Sequence, residues 1–239
     1  YSTGKPIASI IRECPKAVIQ CEDVSQMQQA MDVKVMWQML HNLQQTSFDK
    51  NSPTDLEGDI FSDSQDTERN PMHLSFVHLA RGELFFFHAD YEITAKRALK
   101  VGETYSKLIQ SYLPGMIEMF HRAVALYAVA RRTRRRKYRT EAKRLAKKIE
   151  TWVRIGNPNV VYYHLFLTAE QMAMDKIYKT AEKKYKEAID MANREGHLHH
   201  SGLLHERYAD YLVEVHGEET KAKDMLKEAI RYYKEWGAT

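Results

Sequence analysis

The chain has 239 residues, 44% of them hydrophobic, so it is long enough to bury a sizeable core. A formal net charge of +4 is too small to indicate a nucleic-acid partner by itself, and two cysteines in a Cys-x6-Cys spacing indicate neither a disulfide framework nor a usual metal site. No apolar run approaches the roughly 20 residues that span a bilayer. We therefore expect a cytoplasmic protein with no membrane span and no secretory signal.

The N-terminal region, residues 1–48, is predicted to be a helical segment. Its clearest element covers residues 24–43, where apolar side chains recur every four residues and so fall on one face of a helix. These residues are Met27, Met31, Val35, Met39 and Leu43.

An acidic loop is predicted over residues 49–71. Seven carboxylates lie between positions 49 and 68, with Pro53 and Gly58 among them. Such a stretch offers few apolar groups to offset the entropy of ordering, so we expect a poorly ordered surface loop. Asn70-Pro71 is typical of a helix N-cap and first turn, which predicts a new helix near Met72.

The remaining residues, 72–239, have a helical pattern almost throughout. Gly, Pro and Asn interrupt it, and they predict breaks near residues 89–91, 113–115, 156–159, 196–199 and 216–218. The chain opens on Tyr1 and stops just past a helical segment. Whether it is part of a longer protein stays open.

Two matching helical hairpins, residues 160–196 and 199–237, form the most regular part of the chain. The pattern Ala181-x3-Tyr185-x2-Ala188-Ile189-x2-Ala192-x3-Gly196 recurs 41 residues later as Ala222-x3-Leu226-x2-Ala229-Ile230-x2-Tyr233-x3-Gly237. A hairpin repeating at this period must stack to bury its apolar face. We therefore predict an all-α solenoid of antiparallel helix hairpins, a tetratricopeptide-like superhelix over 72–239, with the number of repeats before residue 160 left open.

The densest run of positive charge, Arg131–Arg139, is one candidate binding site. Its members considered for binding are Arg131, Arg132, Arg134, Arg135 and Arg136. Such a run can bind nucleic acid or an anionic surface through phosphates. It can also be a solvated turn whose arginine stems cover apolar neighbours, or it can pair with the acidic loop or an acidic partner. Tyr138 is the one aromatic residue interleaved with the run, which disfavours base stacking.

Aromatic and histidine side chains in the first hairpin and its exit turn are further candidate sites. Tyr162 and Tyr163 are candidates for a peptide-binding groove, or for packing between helices. The histidines at 197, 199, 200 and 205 do not supply the convergent ligand set that zinc requires, so we expect no metal and no cofactor.

A set of motifs is spread along most of the chain: Asn42-Leu43, Leu56-x-Gly58, Asp90-Tyr91-x3-Ala95, Arg134 to Tyr138, Trp152, Asn157-Pro158-Asn159, His164, Ala169-Glu170, Gly196-x2-His199, Glu206 and Trp236-Gly237-Ala238. Together these motifs resemble the helical-repeat region of large signalling proteins. Those proteins combine a kinase-like domain, a predicted AAA-type ATPase domain, tetratricopeptide-like repeats, a GAF sensor and often a histidine kinase.

The resemblance implies a regulatory and interaction scaffold with no catalytic residues, because the family's catalytic domains lie outside this region. The sequence has no G-x4-G-K-[S/T] phosphate loop and no kinase motif, so we expect no enzyme activity and no small-molecule substrate. The expected partner is another protein or a neighbouring domain of a longer chain. Binding of nucleic acid or an anionic surface through the arginine run is the alternative.

Overall fold

The computed structural model describes residues 4–44, 54–62, 70–101 and 113–238. These residues form helices and no strand, which confirms the all-helical class; the bridge between Glu57 and Ser62 is isolated. The ten α-helices in the described ranges are α1 (Ile7–Asp23), α2 (Met27–Gln44), α3 (Pro71–Phe87), α4 (Tyr91–Val101), α5 (Leu113–Thr133), α6 (Arg136–Arg154), α7 (Val161–Met174), α8 (Tyr178–Glu195), α9 (Leu198–Tyr211) and α10 (Glu219–Trp236).

Short irregular turns extend two of these helices. A 3-10 turn at Pro158–Val160 leads into α7, and a π turn at Leu212–His216 prolongs α9. As predicted, Asn70 caps α3, and its side-chain oxygen accepts a hydrogen bond from the Met72 amide at 2.8 Å. None of the helices within the described ranges has both the length and the apolar character needed to cross a membrane.

The described part of the acidic segment, residues 54–62, is anchored on α2 instead of lying free. Leu56 and Phe61 are buried. The Gln38 side chain accepts hydrogen bonds from the backbone amides of Ile60 (3.2 Å) and Phe61 (3.4 Å). Two apolar side chains and a buried amide thus fix this stretch despite its charge. The predicted loop residues 49–53 and 63–69 lie outside the described residues.

The contacts divide the chain into two compact units, which we describe separately. The N-terminal unit contains Ile7–Ala125 with Gly237–Thr239, and the C-terminal unit contains Leu126–Trp236 with Tyr1–Pro6. In the N-terminal unit α1 packs against α2, α2 against α3 and α3 against α4, and in the C-terminal unit each of α6, α7, α8 and α9 packs against the helix that follows it. The predicted division at residues 48 and 71 stays a prediction.

Buried alanines mark equivalent positions in three successive helix pairs of the C-terminal unit. Ala130, Ala169 and Ala209 lie in α5, α7 and α9, while Ala142, Ala181 and Ala222 lie in α6, α8 and α10. All six are buried, and their spacings are 39 and 40 in the first set and 39 and 41 in the second. A small side chain allows two helices to approach closely. The same alanine spacing therefore also occurs in α5 and α6, one helix pair before the two hairpins predicted from the sequence.

The ends of these helices repeat in the same way. Each of α5, α7 and α9 is followed by a residue with a left-handed backbone: Arg134 (φ 57°), Lys176 (φ 62°) and Gly217 (φ 64°). After α6, α8 and α10 the left-handed residue is Gly156 (φ 91°), Gly196 (φ 74°) and Gly237 (φ 95°). Glycine is favoured in this region because it has no Cβ. A left-handed residue thus follows each of these six helices, and glycine occupies four of the six positions.

Candidate interaction surface

A buried network of charges joins alternate helices of the C-terminal unit. Glu170 of α7 is fully buried between two arginines. One of its carboxylate oxygens lies 3.0 Å from Arg131 Nη1 of α5, and the other lies 3.4 Å from Arg207 Nη2 of α9. Arg131 Nε also donates to Glu214 at 3.0 Å, and Arg207 Nη1 donates to Asp210 at 2.7 Å. The first helices of three successive pairs are therefore connected through one carboxylate.

The electrostatics of this network keep Glu170 and Arg131 charged. Burial by itself raises the pKa of Glu170, but the charges of Arg207 and Arg131 outweigh it, so the pKa lies below the ordinary value. Burial by itself lowers the pKa of Arg131, and the carboxylates of Glu170 and Glu214 together with the Tyr185 hydroxyl raise it overall. Arg131, the first residue of the predicted binding run, is thus committed to an internal ion pair.

The other arginines of the predicted site are exposed at the junction of α5 and α6. Arg132 lies in the last turn of α5, and Arg136 begins α6. Between the helices lie Arg134 and Arg135 alone, so the run is a turn at these two positions and helical on either side. Arg134, Arg135 and Arg136 form no ion pair with a described residue. The side chains of these three arginines lie on the surface of the C-terminal unit.

Tyr162 and Tyr163 are buried and present no surface for a peptide. Their rings contact each other edge to face, with centroids 4.4 Å apart. The Tyr162 hydroxyl lies 2.7 Å from Nδ1 of His200, and the Tyr163 ring lies 5.3 Å from the same imidazole. Of the two readings of the sequence, the structure places both side chains in helix packing, because they sit on the inward stripe of α7.

The histidines after α8 belong to the same aromatic core. His199 stacks on Trp236, with centroids 5.4 Å apart, and His205 Nδ1 lies 2.7 Å from the Ser201 carbonyl oxygen. Burial lowers the pKa of His205, because the charged imidazolium is disfavoured away from water. The described residues contain no group of three His, Cys, Asp or Glu side chains placed to hold a metal ion.

The outward face of α10 is the surface that the sequence reasoning missed. Leu226 and Ile230 are 40% and 53% exposed. Their counterparts 41 residues earlier, Tyr185 and Ile189, are 0% and 7% exposed. An alignment of the two hairpin sequences matches Leu226 with Tyr185 and Ile230 with Ile189. It does not show which of these side chains is buried, because burial depends on the helices that pack against each one.

A second polar cluster lies in the N-terminal unit. His78, Arg97, Glu118 and Arg122 line a cavity with about 20 Å³ of room, enough for one water molecule. Glu118 pairs with Arg122 at 2.9 Å, and Arg97 Nη2 lies 3.0 Å from Nδ1 of His78. Burial raises the pKa of Glu118. The cavity is too small for an organic substrate.

Comparison of the chain with protein-family models, with curated proteins and with solved structures found no match. The resemblance to signalling proteins therefore rests on the quoted motifs, and the surfaces described above carry the functional argument.

Proposed function

We propose that the chain is a non-catalytic helical-repeat scaffold for protein–protein or interdomain interactions. In this proposal the C-terminal unit is a tetratricopeptide-like solenoid that binds through its surface and links modules of a multidomain signalling protein of the ATPase or kinase type. The observation that carries it is the repetition of helix pairs. Equivalent alanines are buried in all three pairs, and equivalent turns recur at their ends. Stacked pairs of this kind form extended binding surfaces.

The buried charges support the same reading. Inside the C-terminal unit Glu170 forms ion pairs with Arg131 and with Arg207, and these pairs connect helices. A catalytic site needs titratable groups that converge on a space a substrate can enter. The network instead places its buried charges between alternate helices, and we expect it to help fix their register in a rigid binding scaffold.

The exposed arginines favour a second candidate function, which is binding to nucleic acid or an anionic surface. Arg134, Arg135 and Arg136 are exposed and form no ion pair with a described residue. Phosphate contacts of this kind would be independent of base sequence and sensitive to salt.

A titration with random-sequence duplex DNA at low and physiological salt tests the proposal against this alternative. The scaffold account expects weak binding at physiological salt, with the variant R134A/R135A/R136A behaving as the wild type does. Variant K221A/K223A/K227A changes three exposed cations of α10 and is the matched control. Tight, salt-sensitive binding that the arginine variant loses and the control retains would overturn the scaffold function.

A further inference from the structure

The exposed face of α10, here called the α10 ridge, consists of Lys223, Leu226, Lys227, Ile230 and Lys234. Lys223 is followed by Leu226 and Lys227 one turn later, by Ile230 on the next turn and by Lys234 on the turn after that, so all five share one side of the helix. All five are exposed. The apolar pair borders the buried stripe that contains Ala222 and Ala229, so the ridge continues the core outward.

In the preceding hairpin the equivalent face is covered by a helix. The Tyr185 ring lies 5.4 Å from the Tyr208 ring and 4.9 Å from the Tyr211 ring, both on α9. At the edge of the same face, the Tyr208 hydroxyl is 3.5 Å from the Glu182 carboxylate. The positions of Tyr185 and Glu182 correspond to Leu226 and Lys223 on α10. The repeat itself therefore specifies a helix as the element that covers the α10 ridge.

The positive charge of the ridge indicates that the helix covering it carries acidic side chains. Where α8 has Glu182, Lys186 and Asn193, the ridge has three lysines. Lys227 pairs with Asp224 at 3.0 Å, while Lys223 and Lys234 form no ion pair with a described residue. Acidic residues near these lysines include Asp224, which pairs with Lys227, and Glu219 at the N-terminal end of α10. Lysines beside an apolar strip attract carboxylates on an incoming partner.

We propose that the α10 ridge is a docking site for an acidic amphipathic helix of a partner. Its apolar face would carry large side chains three and four residues apart, as α9 does with Tyr208 and Tyr211. Carboxylates along one edge of that face would meet Lys223 and Lys234. The helix would take the place on α10 that α9 takes on α8. This inference rests on the proposed scaffold function and names the class of its partner.

Fluorescence anisotropy with two designed peptides tests the docking site on the full chain. Both are 18-residue helical peptides with the same Leu and Tyr stripe; the first carries Glu along one edge, and the second carries Lys at those positions. The Glu peptide should bind, and its affinity should fall as salt screens the exposed charges. The Lys peptide should not bind.

Variants of the ridge assign the binding to its residues. L226E/I230E should weaken the Glu peptide at least about tenfold, because two apolar contacts are lost. K223E/K234E should reverse the preference, so that the Lys peptide binds better than the Glu peptide. I155E introduces the same charge at an apolar residue that is 75% exposed elsewhere in the C-terminal unit, and it should leave binding unchanged. Thermal melts establish that each variant is folded.

Three results would overturn the docking site: equal affinity for the two peptides, no binding of either, or binding that survives L226E/I230E in a folded chain. Self-association lost in L226E/I230E would also overturn it, since the occupant would then be a second copy. In each case the scaffold function stands if a polypeptide partner contacts the protein at another surface, such as the exposed Ile177.

Discussion

At the scale of single residues, the environment decides what each charged side chain does. Arg131 and Arg132 are neighbours in one run, yet Arg131 is buried against Glu170 and Arg132 is exposed. The run of arginines does not by itself show which of the two is buried. Neighbouring residues of a helix point about 100° apart, and the direction that faces inward depends on which other helices pack against α5. The alignment of Ala130-Arg131 with Ala169-Glu170 and Ala209-Asp210 is the signal that would have identified Arg131 as internal.

His78 gives the N-terminal unit a defined pH dependence. Burial, with the positive charges of Arg97 and Arg122, lowers the pKa of His78 to about 4. The unfolded chain takes up this proton near pH 6.5 and the folded chain does not, so stability falls as the pH drops from about 6.5 to about 4. The loss is at most about 3 kcal/mol.

Urea unfolding of wild type and H78Q at pH 7 and pH 5 measures this effect. The wild type should lose more unfolding free energy between the two pH values than the variant does. Parallel losses in the two proteins would show that His78 does not titrate as described.

At the scale of helices, the ion-pair network should be a large contributor to the stability of the C-terminal unit. E170Q leaves two guanidinium groups in the buried network without their shared carboxylate. Removing one partner of a buried pair costs about 3–5 kcal/mol. E228Q removes a carboxylate from an exposed pair with Arg231 and should have little effect. Denaturation of the two variants measures the difference, and equal stability would contradict the structural role of Glu170.

Replacing glycine with alanine should have opposite effects at a left-handed helix end and inside a helix. G196A places a Cβ on a residue at φ 74° and should destabilise by about 1–2 kcal/mol from strain alone. G82A in α3 meets no atom within 4 Å and should stabilise by about 0.5–1 kcal/mol, since alanine is the better helix former. Thermal unfolding gives both signs. A stable G196A would remove the backbone argument for the repeated turn.

Helix positions were largely predictable from local sequence, and packing partners were not. Asn70-Pro71 and Gly196 marked their helix ends correctly because capping depends on the few residues that carry it. Helix α1 lacked a clear prediction, since Pro15 lies inside it and its apolar spacing is mixed. The Leu56 and Phe61 anchors were missed because their burial depends on Gln38, which is distant in sequence.

At the scale of the whole molecule, the proposed docking site is identified by a difference between two similar helices. Tyr185 and Ile189 of α8 are buried, with Tyr185 against two tyrosines of α9, whereas Leu226 and Ile230 of α10 are exposed. Exposed apolar residues that continue a buried stripe are typical of interaction sites. The proposed scaffold would therefore use the α10 ridge for binding, while the exposed arginines at positions 134, 135 and 136 would contribute charge at a separate surface.

The most direct test of the scaffold function is site-specific photo-crosslinking in cells that express the protein. A benzophenone amino acid would replace Leu226, Ile177 or Arg135 in separate chains, and the adducts would be sequenced by mass spectrometry with and without nuclease treatment. The account predicts nuclease-resistant adducts to defined polypeptide segments from position 226, and none from a control at Thr140, an exposed position of α6. Nuclease-sensitive adducts at position 135, with no polypeptide adduct from 226 or 177, would contradict it.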